Sequence, residues 1–165
     1  MDTQLEMAVN GLLLRSENTG LKGRKSRKTD LDTFEDWFPG LLPDWYRELL
    51  ESKELGGVFF ESKVDGVSWE GEGHFRDAGS LLSEVEGAYP DVDLAQRGYL
   101  AICDDGDGSC WVIRADSTPE DPVEFVQMAD YGGGNTHESD YIMINQGESF
   151  AEFLLSLKPA VTVLH

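Results

Sequence analysis

The turn Asp104-Asp105-Gly106-Asp107 places three carboxylates within four residues. Such a cluster raises calcium binding first. An EF-hand loop needs oxygen ligands at positions 1, 3 and 5, glycine at 6 and glutamate at 12. Counting from Asp105 puts Asp107 and Ser109 in place, but Cys110 falls at the glycine position and Asp116 at the glutamate. The residues that follow, Cys110 to Arg114, form a β-type run and do not open a helix. The turn is therefore read as hairpin chemistry with exposed charge, and no metal ligand is assigned. His74, His137 and His165 are scattered without zinc-type spacing. Gly132-Gly133-Gly134 lacks the Lys-Ser/Thr that completes a phosphate cradle, and there is no Gly-x-Ser-x-Gly elbow. Glu70 and Glu72 form a carboxylate pair of the kind used in acid–base chemistry. Among 32 Asp and Glu residues, however, such pairs arise by chance. No catalytic residue and no cofactor is assigned, and binding is expected in place of catalysis.

The strands that must carry the turn are explicit. Tyr99 to Cys103 and Cys110 to Arg114 are apolar runs rich in β-branched and aromatic residues on either side of it. A two-residue loop at Gly106-Asp107 predicts that Cys103 faces Cys110, Ile102 faces Trp111 and Leu100 faces Ile113. One face then holds Leu100, Ile102, Trp111 and Ile113, and the other holds Ala101, Val112 and both cysteines. Neither is polar, so these strands are expected in the middle of a sheet covered on both sides. A Cys103–Cys110 bridge is conceivable in that register, but free buried thiols are the expectation for a reducing compartment.

Around the hairpin, apolar spacing predicts helices over residues 4–14, from near Asp30 to Phe38, and from Pro43 through the stripe Trp45, Tyr46, Leu49 and Leu50. Strands are expected at Val58 to Phe60 and after the Asp65-Gly66 turn, with Glu70-Gly71-Glu72 in a loop. Residues 79–87 read as a helix closed by Pro90, and Pro122 to Val126 as a strand. Residues 131–140 read as a polar loop, and Tyr141 to Ile144 as a short strand or the approach to a helix. Ser149 and Glu152 have capping-box spacing before the apolar stripe Phe150, Phe153, Leu154 and Leu157, which Pro159 ends. Trp37, Trp45, Trp69 and Trp111 fit apolar periodicities and are expected in the core. The order of elements predicts an α+β fold with a mainly antiparallel sheet flanked by helices.

Composition sets limits. A chain of 165 residues with eight Phe, four Trp and five Tyr can fill one core and bury roughly 70% of its unfolded surface. No 18-residue apolar run is present, and the N-terminus lacks signal-peptide features, so a cytoplasmic protein is expected. The formal net charge is −19. Residues 1–28 nonetheless hold six Lys/Arg against three Asp/Glu, much of that excess in Lys22 to Lys28, which reads as a solvated linker. The acidic remainder would repel phosphates and disfavours nucleic acid as a ligand, whereas it would attract a basic protein. Residues 65–93 hold eight acids against one base, and residues 104–140 hold ten against one. Asp104, Asp105 and Asp107 at the hairpin tip, with Glu70 and Glu72, are therefore the candidate partner-binding residues.

The pattern resembles the SUKH superfamily in its Smi/Knr branch. The resemblance rests on Leu42-Pro-Asp-Trp-Tyr-Arg-Glu-Leu-Leu50 with Gly56-Gly57, on Tyr99 to Gly108 with its return strand, on Pro122-Val123, and on Ser149-Phe-Ala-Glu-Phe-Leu-Leu. It covers roughly residues 34–158. It implies a non-enzymatic SUKH-like α+β domain over residues 31–165, with residues 1–30 as a helix and basic linker extension. It also implies an immunity protein that neutralises a cognate bacterial toxin, a nuclease among other kinds, or alternatively a regulatory scaffold that binds endogenous partners. The expected partner is a basic toxin domain, with neither nucleic acid nor membrane bound. Partner identity and oligomeric state are not encoded in these motifs.

Overall fold

A computed structural model describes residues 1–17, 22–67, 69–87, 90–128, 141–145 and 147–160. The expected loop over residues 131–140, with Gly132 to Gly134 and His137, lies outside the described residues, as does His165. Seven strands form one sheet in the order β6-β5-β4-β3-β2-β1-β7, and every neighbouring pair is antiparallel. The strands are β1 (Phe59–Val64), β2 (Trp69–Phe75), β3 (Tyr99–Asp104), β4 (Cys110–Arg114), β5 (Glu124–Met128), β6 (Tyr141–Asn145) and β7 (Lys158–Pro159). The helices are α1 (Thr3–Glu17), α2 (Lys28–Trp37), α3 (Asp44–Ser52), α4 (Ala78–Gly87), α5 (Asp91–Gln96) and α6 (Phe150–Ser156). This is the α+β arrangement the sequence predicts.

The inner face of the sheet carries the main core. Register places Phe75, Cys103, Trp111, Phe125 and Ile144 side by side across β2 to β6. Trp111 is fully buried, with Phe125 4.9 Å and Phe60 5.2 Å away between ring centres. The apolar stripe of α6 packs here through Phe150, Phe153 and Leu154. Its capping box forms as the Ser149/Glu152 spacing requires, the hydroxyl accepting from the Glu152 N–H and the carboxylate from the Ser149 N–H. Gly73 sits where rings converge. A methyl group there would come within 2.7 Å of Phe60 and 2.8 Å of Trp111.

Three expectations need correction. The hairpin keeps the predicted register at Leu100–Ile113 and Ala101–Val112, then shifts by one residue, so that Cys103 faces Trp111 and Asp104 faces Cys110. Ile102 is the extra residue of a bulge, and the loop spans residues 105–109, closed by the Asp105 N–H donating to the Ser109 carbonyl (3.1 Å). A bulge reverses which side chains point inward beyond it. It turns Cys103 into the main core and Asp104 out to the opposite face. The two thiols therefore lie in separate apolar clusters, and both are free. Secondly, Glu70-Gly71-Glu72 is not a loop but the middle of β2. Alternation sends Gly71 and Gly73 to the core side, where ring bulk needs the space, and both glutamates to the other. Thirdly, Trp37 is 54% exposed. The helix ends at Trp37, and Phe38 packs on Phe34 (5.3 Å) in its stead.

The basic stretch is no free linker either. Arg24 exchanges backbone hydrogen bonds with Gly56 (2.8 and 3.0 Å), the Ser26 N–H donates to Leu50 (2.8 Å), and the buried Ser26 hydroxyl accepts from the Ala78 N–H (2.9 Å). Arg24 Nε also meets Asp77 at 2.5 Å. Ahead of it, α1 buries Leu5, Ala8, Val9 and Leu12 in the main core. A helix that contributes four core residues is part of the packed body. Among the described residues no helix is long and apolar enough to cross a membrane.

Candidate functional site

The outer face of the sheet is built in two halves. Register aligns Phe59, His74, Asp104, Cys110, Val126 and Met143 in one row across β1 to β6. Over β3 to β6 the outward positions beneath α5 are apolar: Ala101, Cys110, Val112 and Val126 form a second cluster under Leu94 of α5, while Asp104 beside Cys110 and Glu124 beside Val112 also lie on this face. Tyr141 on β6 secures that helix, donating to Asp93 (2.5 Å) and accepting from Arg97. Over β7, β1 and β2 the outward positions are Phe59, Glu61, Lys63, Glu70, Glu72, His74 and Lys158, which are half-buried or exposed. Polar positions of that kind offer a helix nothing to bury against.

At the border between the halves stands Arg76, 4% exposed. Its Nη1 pairs with Asp91 at the start of α5, its Nε with Asp104 Oδ2 (2.7 Å), and Nη1 also reaches the Ala101 carbonyl (3.3 Å). Burial works to lower the Arg76 pKa, but Asp91 and then Asp104 reverse this, and the guanidinium stays charged. Burial pushes the Asp91 carboxyl up from its ordinary value, against the pull of Arg76. The group ties hairpin, strand and helix together at one point. His74 Nε2 lies 3.5 Å from Asp104, beside a pocket of about 360 Å³ lined by Arg76, Glu84, Asp91, Asp104 and the loop glycines Gly106 and Gly108. A larger open groove of about 570 Å³ runs along the free end of the β1–β2 hairpin, between Ser62, Gly71, Asn145, Glu148 and Phe153.

The five sequence-predicted residues occupy different chemical situations. Asp107 is exposed at the loop tip. Asp104 serves Arg76 and accepts from the Gly106 N–H (2.9 Å). Asp105 closes the loop: Oδ1 accepts from the N–H groups of Asp107 (2.8 Å) and Ser109 (3.1 Å), and Oδ2 from Trp69 Nε1 (3.3 Å). Glu70 and Glu72 are exposed on the outer face of β2, across from Lys63 and Glu61. Pairing of His74 with Asp104 places this strand directly beside the hairpin, so the two acidic segments adjoin.

Arg76, Asp91, Phe59 and His74 were not singled out by sequence as site residues. Arg76 had a usable signal, since it is the one base among residues 65–93. A lone cation within eight carboxylates invites a pairing role. Among the described residues, no group of three or more His, Cys, Asp or Glu is arranged to hold a metal ion.

No curated protein and no solved structure matches the chain. The model of the SMI1 / KNR4 family (SUKH-1) does, over residues 26–156, from the stitched basic stretch through β1 to β6 and α6. With most of its length matched, and with an antiparallel sheet backed by helices of the expected order, the chain belongs to the SMI1/KNR4 family (SUKH-1).

Proposed function

We propose that this protein is a cytoplasmic immunity-type binding protein that neutralises a basic toxin domain by covering it with an acidic surface. One observation carries the reading: the hairpin tip and the open half of the outer sheet face adjoin on a chain with net charge −19. Family membership supports a role in protein–protein interaction. Asp107, Glu70 and Glu72 meet the partner, while Asp104 and Asp105 hold the tip in shape. The mechanism is steric occlusion with electrostatic capture, and no bond is made or broken. Steering of this kind speeds encounter, and the gain fades as salt rises.

The test is to read the genes beside this one for a large secreted protein and to co-express this chain with that protein's C-terminal domain. Rescue of growth, and a complex whose on-rate falls as salt is raised, is the expected result. Asp107→Lys combined with Glu72→Lys should slow association and flatten that salt dependence. Asp105 is the wrong residue to reverse, because its carboxylate shapes the loop. Failure to rescue, together with co-purification of several housekeeping proteins, would favour the regulatory scaffold reading.

A further inference from the structure

The open half of the outer face has a specific composition beyond its charge. Phe59 is 41% exposed, and its ring centre lies 5.3 Å from that of His74 on the neighbouring strand. One pair along, Glu61 stands directly opposite Glu72. Directly opposed like charges on adjacent strands destabilise a sheet. Lys158 is the β7 partner of Glu61, and Lys63 faces Glu70. Among the described residues none of these three glutamates makes an ion pair, although nine such pairs form elsewhere. The face thus combines a half-exposed aromatic pair with two glutamates directly opposed across neighbouring strands.

We infer that this face binds arginine side chains displayed by a protein partner. A guanidinium is planar and weakly hydrated, stacks on aromatic rings, and donates in a fork to carboxylates. An arginine placed over Phe59 and His74 would reach toward Glu61 and Glu72 and cancel their repulsion. Lysine offers a more strongly hydrated point charge with no plane to stack. Among the described residues the face carries no helix, and the 360 Å³ pocket bounded by His74 and Asp104 continues it toward α4 and α5. The inference rests on the acidic-surface reading above, but it narrows the partner's chemistry to arginine and names the aromatic pair as anchor.

The test is an amide and aromatic NMR titration of the full chain with acetyl-Gly-Arg-Gly-Arg-Gly-amide, run beside its lysine and citrulline counterparts. Shifts should concentrate on residues 59–63 and 70–74, and the arginine peptide should bind about threefold more tightly than the lysine one. Phe59→Ala and Glu72→Gln should each weaken it several-fold. Glu72→Gln should also raise the melting temperature, since it removes an opposed charge; a merely structural glutamate would move it downward. No binding, equal binding of the arginine and lysine peptides, shifts centred on residues 104–109, or a lower melting temperature for Glu72→Gln would overturn the inference. The two proposals fail separately. Arginine peptides that map to this face without any neutralised toxin defeat only the immunity reading. Toxin affinity unchanged by Phe59→Ala and Glu72→Gln defeats only this one.

Discussion

One sheet face carries two finishes. Over β3 to β6 its central outward side chains, Ala101, Cys110, Val112 and Val126, are small and apolar, and α5 closes over them through Leu94. Over β7, β1 and β2 the same face turns charged and aromatic, with Phe59, Glu61, Glu72 and His74 facing solvent. Strands, twist and hydrogen bonding are shared, so only side-chain chemistry decides which half recruits a helix. The lesson is a division of labour: stability is invested in one half, and the other is left for contact.

Substitutions break or sharpen this contrast. The largest effect belongs to the border. Arg76→Met leaves Asp91 and Asp104 without their cation, and removing one partner of a buried pair costs roughly 3–5 kcal/mol. Urea denaturation should show it; a loss below about 1 kcal/mol would mean that the halves are not joined there. Leu94→Ala should cost roughly 2–5 kcal/mol by opening a cavity under α5, with faster amide exchange across β3 to β5.

A smaller effect is expected at Asp77, which caps α4 by accepting from the Ser80 N–H (2.8 Å) and which Arg24 meets. Burial works to raise its carboxyl, but the Ser80 and Arg24 hydrogen bonds outweigh it and hold the pKa below the ordinary carboxylate value. A lowered folded-state pKa contributes stability that is full above the unfolded value and lost as pH falls through the folded one. Asp77→Ala should therefore cost about 1 kcal/mol near neutrality, and the gap from wild type should narrow below about pH 4. Urea melts across pH 2.5–7 would reveal it, and a gap that widens in acid would refute it. Least of all, Phe59→Thr should change stability by about 0.5 kcal/mol or less, as exposed positions do. A loss of several kcal/mol there would make the open half part of the core.

Much of this was legible in the chain. The apolar runs on both faces of the central hairpin announced a sheet covered on two sides, and the Ser149/Glu152 spacing announced the cap of α6. The bulge at Ile102 was not legible, because alternation assumes an unbroken period of two and a bulge inserts one extra residue. Nor was α5, whose six residues are too few for a helical period to stand out. In the candidate site, the acidic segments were visible as composition, but their roles were not. Asp104 and Asp107 look alike in sequence, yet one faces Arg76 and the other faces water. The distinction arises from contacts between residues 28 positions apart, which no local pattern encodes.

The extra residue in β3 has a consequence for how this protein can change. Strand length here is as tightly set as composition. Deleting Ile102 would restore simple alternation at the loss of a fully buried core side chain, and inserting one residue between Cys103 and Asp104 would turn the Asp104 carboxylate into the oily interior and strip Arg76 of a counter-charge. Gaining or losing one residue among 105–109 would alter only a solvated tip. Length variation among related chains should therefore gather in that loop and spare the strand beside it.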